Sequence, residues 1–103
     1  MNLKEEKKTI LEYFRTGNYQ EALNKGKQLL KKDLNDPNLY NIIGLAYLQL
    51  GDIDNSIINF ENSLKLLPGS LSTISNIANA YKKKFDYAKA EEFYLLALKK
   101  GPN

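Results

Sequence analysis

Apolar side chains recur at every third or fourth position along most of the chain, the spacing that places them on one face of an α-helix. One such stripe covers residues 40–50 and a second covers residues 53–67. Between them, Gly51 is suited to end the first helix and Asp52 is suited to cap the second. No segment shows the strict alternation of apolar and polar residues that marks a half-buried strand. The pattern therefore predicts an all-α fold.

The pattern repeats along the chain with a period of 34 residues. This period divides the sequence into units 3–36, 37–70 and 71–103, of which the last is one residue short. Because each unit contains two predicted helices, we expect six helices in all. At this offset the aligned columns hold matching residues: Tyr13, Tyr47 and Tyr81; Ala22, Ser56 and Ala90; Leu30, Leu64 and Leu98.

Polar residues with capping chemistry precede several of the predicted helices. Asn2 and Asn18 each stand three residues before a glutamate, which is the spacing of a capping box. Asp36 precedes Pro37, and proline is favoured at the first position of a helix. We therefore expect Asn2, Asn18 and Asp36 to cap helices, as we expect of Asp52.

The chain departs from the repeat in one turn and inside one hairpin. Phe85 stands where the other units have Gly17 and Gly51. A non-glycine residue in a left-handed conformation costs roughly 1–2 kcal/mol, so we expect this turn to be altered. In the first unit, Gly26 replaces a large aromatic residue of the other units, while Ile10 replaces their small residue. We interpret this as an exchange of large and small side chains inside one hairpin.

The composition removes most of the chemistry that enzymes use. The 103 residues include no cysteine and no histidine, which excludes thiol nucleophiles, disulfides, the commonest general base and the commonest metal ligand. The carboxylates of Glu5–Glu6 and Glu91–Glu92 are adjacent in sequence and diverge around a helix. No glycine-rich phosphate loop or metal-ligand spacing is present. We expect a protein without enzymatic activity, metal or cofactor.

The charge and the lengths of the apolar runs narrow the choice of partner. The net charge is +3, and the lysine clusters at residues 31–32, 82–84 and 99–100 fall in the last turns of predicted helices. Cations there complement the helix dipole, so nucleic acid is not the expected partner. The apolar runs are far shorter than the ~20 residues of a membrane span, and residues 1–10 lack the apolar stretch of a signal peptide. We expect a cytoplasmic protein without a membrane partner.

The period, the helix–turn–helix unit and the matching columns resemble the tetratricopeptide repeat family. The middle unit, YNIIGLAYLQLGDIDNSIINFENSLKLLP, follows the family pattern, with Ser56 and Ser63 in the two alanine columns. The resemblance implies that three hairpins stack into a right-handed superhelix, with the first helix of each hairpin lining a concave groove. It also implies that the protein binds a peptide segment of a partner in this groove.

The positions that face the groove in the family can be matched to this chain residue by residue. Asparagine side chains suit a peptide backbone, and the lysines favour a peptide of acidic character. The apolar members have a second interpretation, as packing between neighbouring first helices. Leu11, Leu45 and Ser72 replace residues that family members need to hold a C-terminal carboxylate, so we do not expect that recognition. The candidate peptide-binding residues are Lys7, Leu11, Phe14, Asn41, Leu45, Leu48, Ser75, Asn79 and Lys82.

The last predicted helix is apolar over much of its circumference. Leu95 and Leu96 occupy columns that are polar in the earlier units, and no capping helix follows them in the sequence. An exposed apolar helix favours association, so the array either forms a homo-oligomer through this helix or is the N-terminal part of a longer protein. A solvent-facing patch without a partner is the remaining interpretation. The candidate self-association residues are Phe93, Leu95, Leu96 and Leu98.

Overall fold

A computed structural model describes residues 2–101, which form six α-helices joined by short turns. The all-α, six-helix prediction is confirmed for this range. Residues 102–103, at the end of the third predicted unit, lie outside the described residues. The helices are α1 (Leu3–Arg15), α2 (Tyr19–Leu30), α3 (Pro37–Gln49), α4 (Ile53–Leu66), α5 (Leu71–Lys83) and α6 (Tyr87–Lys100).

The helices form three hairpins stacked along one direction. Helix α1 packs on α2, α3 on α4 and α5 on α6, and the second helix of one hairpin packs on the first helix of the next. The stack measures 42 × 25 × 23 Å along its principal axes. The first helices α1, α3 and α5 are also sequential neighbours, and side by side they provide the floor of a groove.

The hydrophobic core is continuous from one hairpin to the next. One cluster of buried side chains joins Ile10 and Leu23 of the first unit to Ile43 of the second. Another joins Phe60 of the second unit to Ile77 of the third. Each unit therefore buries its apolar face against its neighbour, as expected when a single hairpin cannot bury that face alone.

Small residues permit close approach at two of these contacts. A Cβ placed on Gly44 would lie 2.5 Å from Cε1 of Phe60, so the glycine makes room for the aromatic ring inside the second hairpin. A Cβ placed on Gly26 would lie 2.7 Å from Cγ1 of Ile43, in the next unit. The predicted exchange between Gly26 and Ile10 inside one hairpin is therefore wrong about the partner, because the nearest atoms belong to α3.

Three of the four predicted helix caps are present. The Asn2 side chain accepts a hydrogen bond from the Glu5 N–H at 2.9 Å, and Asp36 and Asp52 cap α3 and α4 in the same way. Asn18 makes no capping hydrogen bond, which corrects the prediction for α2. Its Nδ2 instead donates to Oγ1 of Thr16 at 2.9 Å, so the neighbouring hydroxyl holds the side chain away from the helix N-terminus.

The turn within the third hairpin, between α5 and α6, keeps the geometry of the turns within the first two hairpins. The predicted alteration of this turn is wrong. Phe85 has φ +67°, in the left-handed region where Gly17 and Gly51 also lie, with φ +83° and +87°. The N–H of Asp86 donates to the carbonyl of Tyr81 at 2.9 Å, as the N–H of Asp52 does to the carbonyl of Tyr47 in the second hairpin. These hydrogen bonds fix the turn, and Phe85 carries the backbone strain of roughly 1–2 kcal/mol.

Candidate functional site

An open cavity lies in the groove where α3 and α5 end side by side. Its volume is about 520 Å³, and we call it the groove cavity. Four of the predicted peptide-binding residues line it together, namely Leu45, Leu48, Asn79 and Lys82. The remaining lining residues are Gln49, Asn76, Lys83, Phe85 and Tyr87.

The floor of the groove cavity is apolar and is shared with the core. Leu48 is only 7% exposed and belongs to the buried cluster between the second and third units. Leu45 is half-buried and packs against the same cluster. Leu48 therefore serves chiefly as packing between helices, whereas Leu45 combines packing with an apolar surface that faces the cavity.

A polar ladder connects α3 to α5 along the groove. Nδ2 of Asn41 donates to Oγ of Ser72 at 3.3 Å, and its Oδ1 accepts from Nδ2 of Asn76 at 3.1 Å. The Nδ2 and the Oδ1 of Asn41 thus both form hydrogen bonds to α5, and these bonds fix the spacing of the two helices. Asn76 could not be singled out from the sequence, because its repeat column holds Lys8 and Ile42 in the other units.

Asn79 keeps a free donor at the rim of the groove cavity. Its Oδ1 accepts a hydrogen bond from the hydroxyl of Tyr94 on α6 at 2.5 Å, which orients the side chain. Within residues 2–101, its Nδ2 donates to no other group. Oriented amides of this kind can pair with a peptide carbonyl.

The predicted residues of the first unit lie apart from the groove cavity. Nζ of Lys7 forms ion pairs with Asp36 at 2.6 Å and Asp33 at 3.0 Å. The hydrogen bonds to Asp36 and Asp33 raise the pKa of Lys7, and the one from Lys7 lowers the pKa of Asp33. Leu11 is 56% exposed, and Phe14 is half-buried against Tyr19 with ring centroids 5.1 Å apart. The Lys7 charge is thus neutralised by its own chain.

Ser75 faces the end of the stack. It lines a second open cavity of about 400 Å³, formed by α5 and α6 where a fourth hairpin would continue the array. We call this surface, together with Leu95, the end surface. The residues lining the cavity are Leu71, Ser75, Tyr94, Ala97, Leu98 and Gly101.

The predicted self-association residues do not share one environment. Leu95 and Leu98 are 56% and 60% exposed and lie on the end surface. Leu96 is half-buried. The Phe93 ring stacks on Tyr81 of the same hairpin, with centroids 5.9 Å apart and an interplanar angle of 12°, and it packs against the buried cluster shared with the second unit. Phe93 is therefore part of the packing between units.

Two aromatic residues of the groove cavity were not predicted from the sequence. Phe85 and Tyr87 are 77% and 61% exposed, and their rings meet edge to face with centroids 6.5 Å apart. The signal that could have found them was present, since Phe85 is the one departure from glycine in its column. A residue that accepts backbone strain without being buried points away from a packing role.

Neither metal chemistry nor a membrane-spanning role has support in the described residues. Between residues 2 and 101 no group of three carboxylates is gathered closely enough to hold a metal ion. Every described helix is too short or too polar to cross a lipid bilayer.

This chain is similar in sequence to parts of longer proteins. The chain is 39% identical over 62 residues to the uncharacterized protein ycf37 of Guillardia theta, covering 60% of this chain and 35% of that protein. It is 31% identical over 86 residues to the probable UDP-N-acetylglucosamine–peptide N-acetylglucosaminyltransferase SEC of Arabidopsis thaliana. That match covers 82% of this chain and 9% of that protein. The chain thus spans about a third or less of these relatives.

Solved structures share the fold at low sequence identity. The Yersinia enterocolitica type III secretion chaperone SycD, in complex with a peptide of the translocator YopD, superposes with a TM-score of 0.93. The identity is 19%, over 98% of this chain and 77% of that one. The first TPR of Spaghetti (RPAP3), bound to the HSP90 peptide SRMEEVD, superposes with a TM-score of 0.90 at 21% identity. That match covers 95% of this chain and 78% of the other.

Family models identify the repeat directly. Two models, each described as a tetratricopeptide repeat, match residues 37–68 and residues 70–100. These ranges correspond to the second and third hairpins of the stack, and the first hairpin has the same helix–turn–helix architecture. The chain belongs to the tetratricopeptide repeat family.

Proposed function

We propose that the chain is a non-catalytic interaction module that binds a peptide segment of a partner protein in the groove cavity between α3 and α5. The observation that carries the proposal is the composition of this cavity. Leu45 provides an apolar floor, Asn79 provides an oriented amide donor, and Lys82 provides a positive charge at the rim. Among residues 2–101 no carboxylate lines the cavity, which favours a peptide of acidic character.

The structural neighbours support a peptide as the class of ligand. SycD and the first TPR of RPAP3 were both solved with a peptide bound, on folds that superpose with almost the whole of this chain. The peptide of this chain is not inferred from theirs, because the identities of 19% and 21% establish the fold alone. The groove residues of this chain are therefore the basis for choosing the test.

Selection from a phage-displayed library of random peptides tests the proposal. The most enriched peptide is synthesised with a fluorescent label and titrated against the wild-type chain by fluorescence anisotropy. We expect Leu45→Glu and Asn79→Ala to weaken binding by about tenfold or more, since each removes a contact that a peptide would make. Leu95→Lys, on the end surface, is the matched control and should leave the affinity unchanged.

Thermal melts separate lost binding from lost folding. Each variant is followed by circular dichroism at the temperature of the titration, and only variants that remain folded are compared. An affinity that is the same for wild type, Leu45→Glu and Asn79→Ala would show that the peptide binds elsewhere and would reject the groove as the site.

A second candidate function is assembly through the end surface, and the exposed leucines favour it. Leu95 and Leu98 leave an apolar patch on the last helix beside an open cavity of about 400 Å³. Apolar patches of this kind serve as contact sites for a second copy or a following domain. In sedimentation experiments at increasing concentration, the wild type should associate and Leu95→Lys should remain monomeric. A wild-type chain that stays monomeric at high concentration would argue against self-association.

A further inference from the structure

The turn between α5 and α6 presents an aromatic pair that the stability of the fold does not explain. A Cβ added at the equivalent glycines, Gly17 and Gly51, would meet nothing within 4 Å, so no packing demands a side chain in this turn. Phe85 nevertheless occupies the position with φ +67° and is 77% exposed. Tyr87, 61% exposed, supports its ring edge to face. The backbone strain and the exposed apolar area are both unfavourable for the isolated chain.

The same pair forms one wall of the groove cavity. Leu45 and Gln49 of α3 line the same cavity. A side chain that enters the cavity would meet both the apolar floor and the two aromatic rings. Aromatic walls of this kind favour an aromatic or large aliphatic side chain.

Two unpaired lysines flank this aromatic wall. Lys82 and Lys83 line the groove cavity, are exposed, and form no ion pair among residues 2–101. Lys84 is different, because its Nζ pairs with Asp54 of α4 at 2.7 Å. With no carboxylate lining the cavity, the charge that remains at the wall is positive and is complementary to a carboxylate.

We infer that Phe85 and Tyr87, together with Lys82 and Lys83, form a specificity-determining subsite. It takes an aromatic or large aliphatic side chain that lies next to an Asp or Glu in the bound peptide. This inference rests on the proposed function, since it assigns the sequence preference of the same groove. Phe85 is retained in a strained conformation because its ring contacts the ligand.

Phe85→Gly distinguishes a ligand contact from a structural role. Glycine adopts the left-handed conformation without strain, so the variant should melt at a temperature equal to or higher than the wild type. Binding should change in the opposite direction. We expect the dissociation constant for the most enriched phage-display peptide to rise by about tenfold in Phe85→Gly, and to rise as well in Tyr87→Ala.

The charged half of the subsite is tested by the salt dependence of peptide binding and by the sequences of the enriched peptides. Replacing both lysines, in the double variant Lys82→Gln/Lys83→Gln, should weaken binding of the same peptide by about threefold or more at low salt. This difference should shrink as salt is added. Peptides enriched on the wild type should pair an aromatic or large aliphatic residue with Asp or Glu, and peptides enriched on Phe85→Gly should lose the aromatic preference.

Ile58→Ala is the matched control, because Ile58 is 52% exposed on α4 and does not line the groove cavity. It should leave the affinity unchanged. If Phe85→Gly binds the peptide as tightly as the wild type while Asn79→Ala binds it weakly, the subsite is rejected and the groove function stands. If Asn79→Ala and Leu45→Glu are also without effect, the groove function itself is rejected, and the subsite with it.

Discussion

Replacing Gly44 with alanine tests whether the second hairpin depends on close approach of its helices. The added Cβ would lie 2.5 Å and 2.6 Å from two ring carbons of Phe60, and 3.1 Å from the backbone carbonyl oxygen of Ser56. Phe60 is fully buried, so its ring has little room to move away. Overpacking of this kind costs typically 1–3 kcal/mol.

The helical position of Gly44 acts in the opposite direction. Alanine is favoured over glycine in a helix interior by about 1 kcal/mol. The two effects leave a net loss of up to about 2 kcal/mol in the free energy of unfolding. For a chain of this length that corresponds to a fall in Tm of up to roughly 15 °C. Urea denaturation followed by circular dichroism measures the difference directly.

A double-mutant cycle tests whether the loss of stability in Gly44→Ala comes from the Phe60 ring. In a Phe60→Val background neither Cδ1 nor Cε1 is present, and Gly44→Ala should become neutral or stabilising by up to about 1 kcal/mol. The coupling between the two sites should therefore be about 1–3 kcal/mol, the overpacking cost that the ring imposes. Gly69→Ala is the control, because a Cβ there meets nothing within 4 Å. A Gly44→Ala variant that is more stable than the wild type would refute the close-packing argument.

Three further outcomes follow from the described contacts. Gly26→Phe should unfold at a clearly lower temperature in a thermal melt, because even a Cβ at Gly26 would lie 2.7 Å from Ile43, and an unchanged Tm would count against this contact. Lys7→Met should lower Tm slightly near neutral pH. The lowered pKa of Asp33 stabilises the fold above about pH 4, and the raised pKa of Lys7 stabilises it below about pH 10. The melts of wild type and variant should therefore converge once the pH falls below the lowered pKa of Asp33. Lys7→Met should leave the affinity for the most enriched phage-display peptide unchanged in an anisotropy titration, because Asp33 and Asp36 already neutralise Lys7; a clear loss of affinity would show that Lys7 contacts the peptide.

The helices and their order could be predicted from the sequence because they depend on local patterns. The apolar spacing, the 34-residue period and the Gly51–Asp52 boundary all act within a few residues of the chain. Aligning the units also predicted that Leu45, Asn79 and Lys82 face one groove. The failure at Asn18 is local as well, since the hydroxyl of Thr16 holds the side chain that would have capped the helix.

Contacts between residues that are far apart in the sequence could not be predicted in this way. Lys7 contacts Asp33 only because the loop after α2 returns to α1. Aligning the repeats does not predict the path of this loop. The burial of Leu48 depends on the packing of α3 against the next hairpin. Phe85 was noticed as a departure from glycine, but its exposure beside the groove cavity is visible only in three dimensions.

Chemical-shift mapping tests the central claim, that a peptide binds in the groove cavity between α3 and α5, most directly. The ¹⁵N-labelled chain is titrated with the most enriched phage-display peptide, and the shift of each backbone amide is followed. We predict the largest changes at residues 45–49 of α3 and residues 76–87 of α5 and its turn, with little change along α4. Changes concentrated instead on α6 around Leu95 and Leu98 would contradict the account and identify the end surface as the binding site.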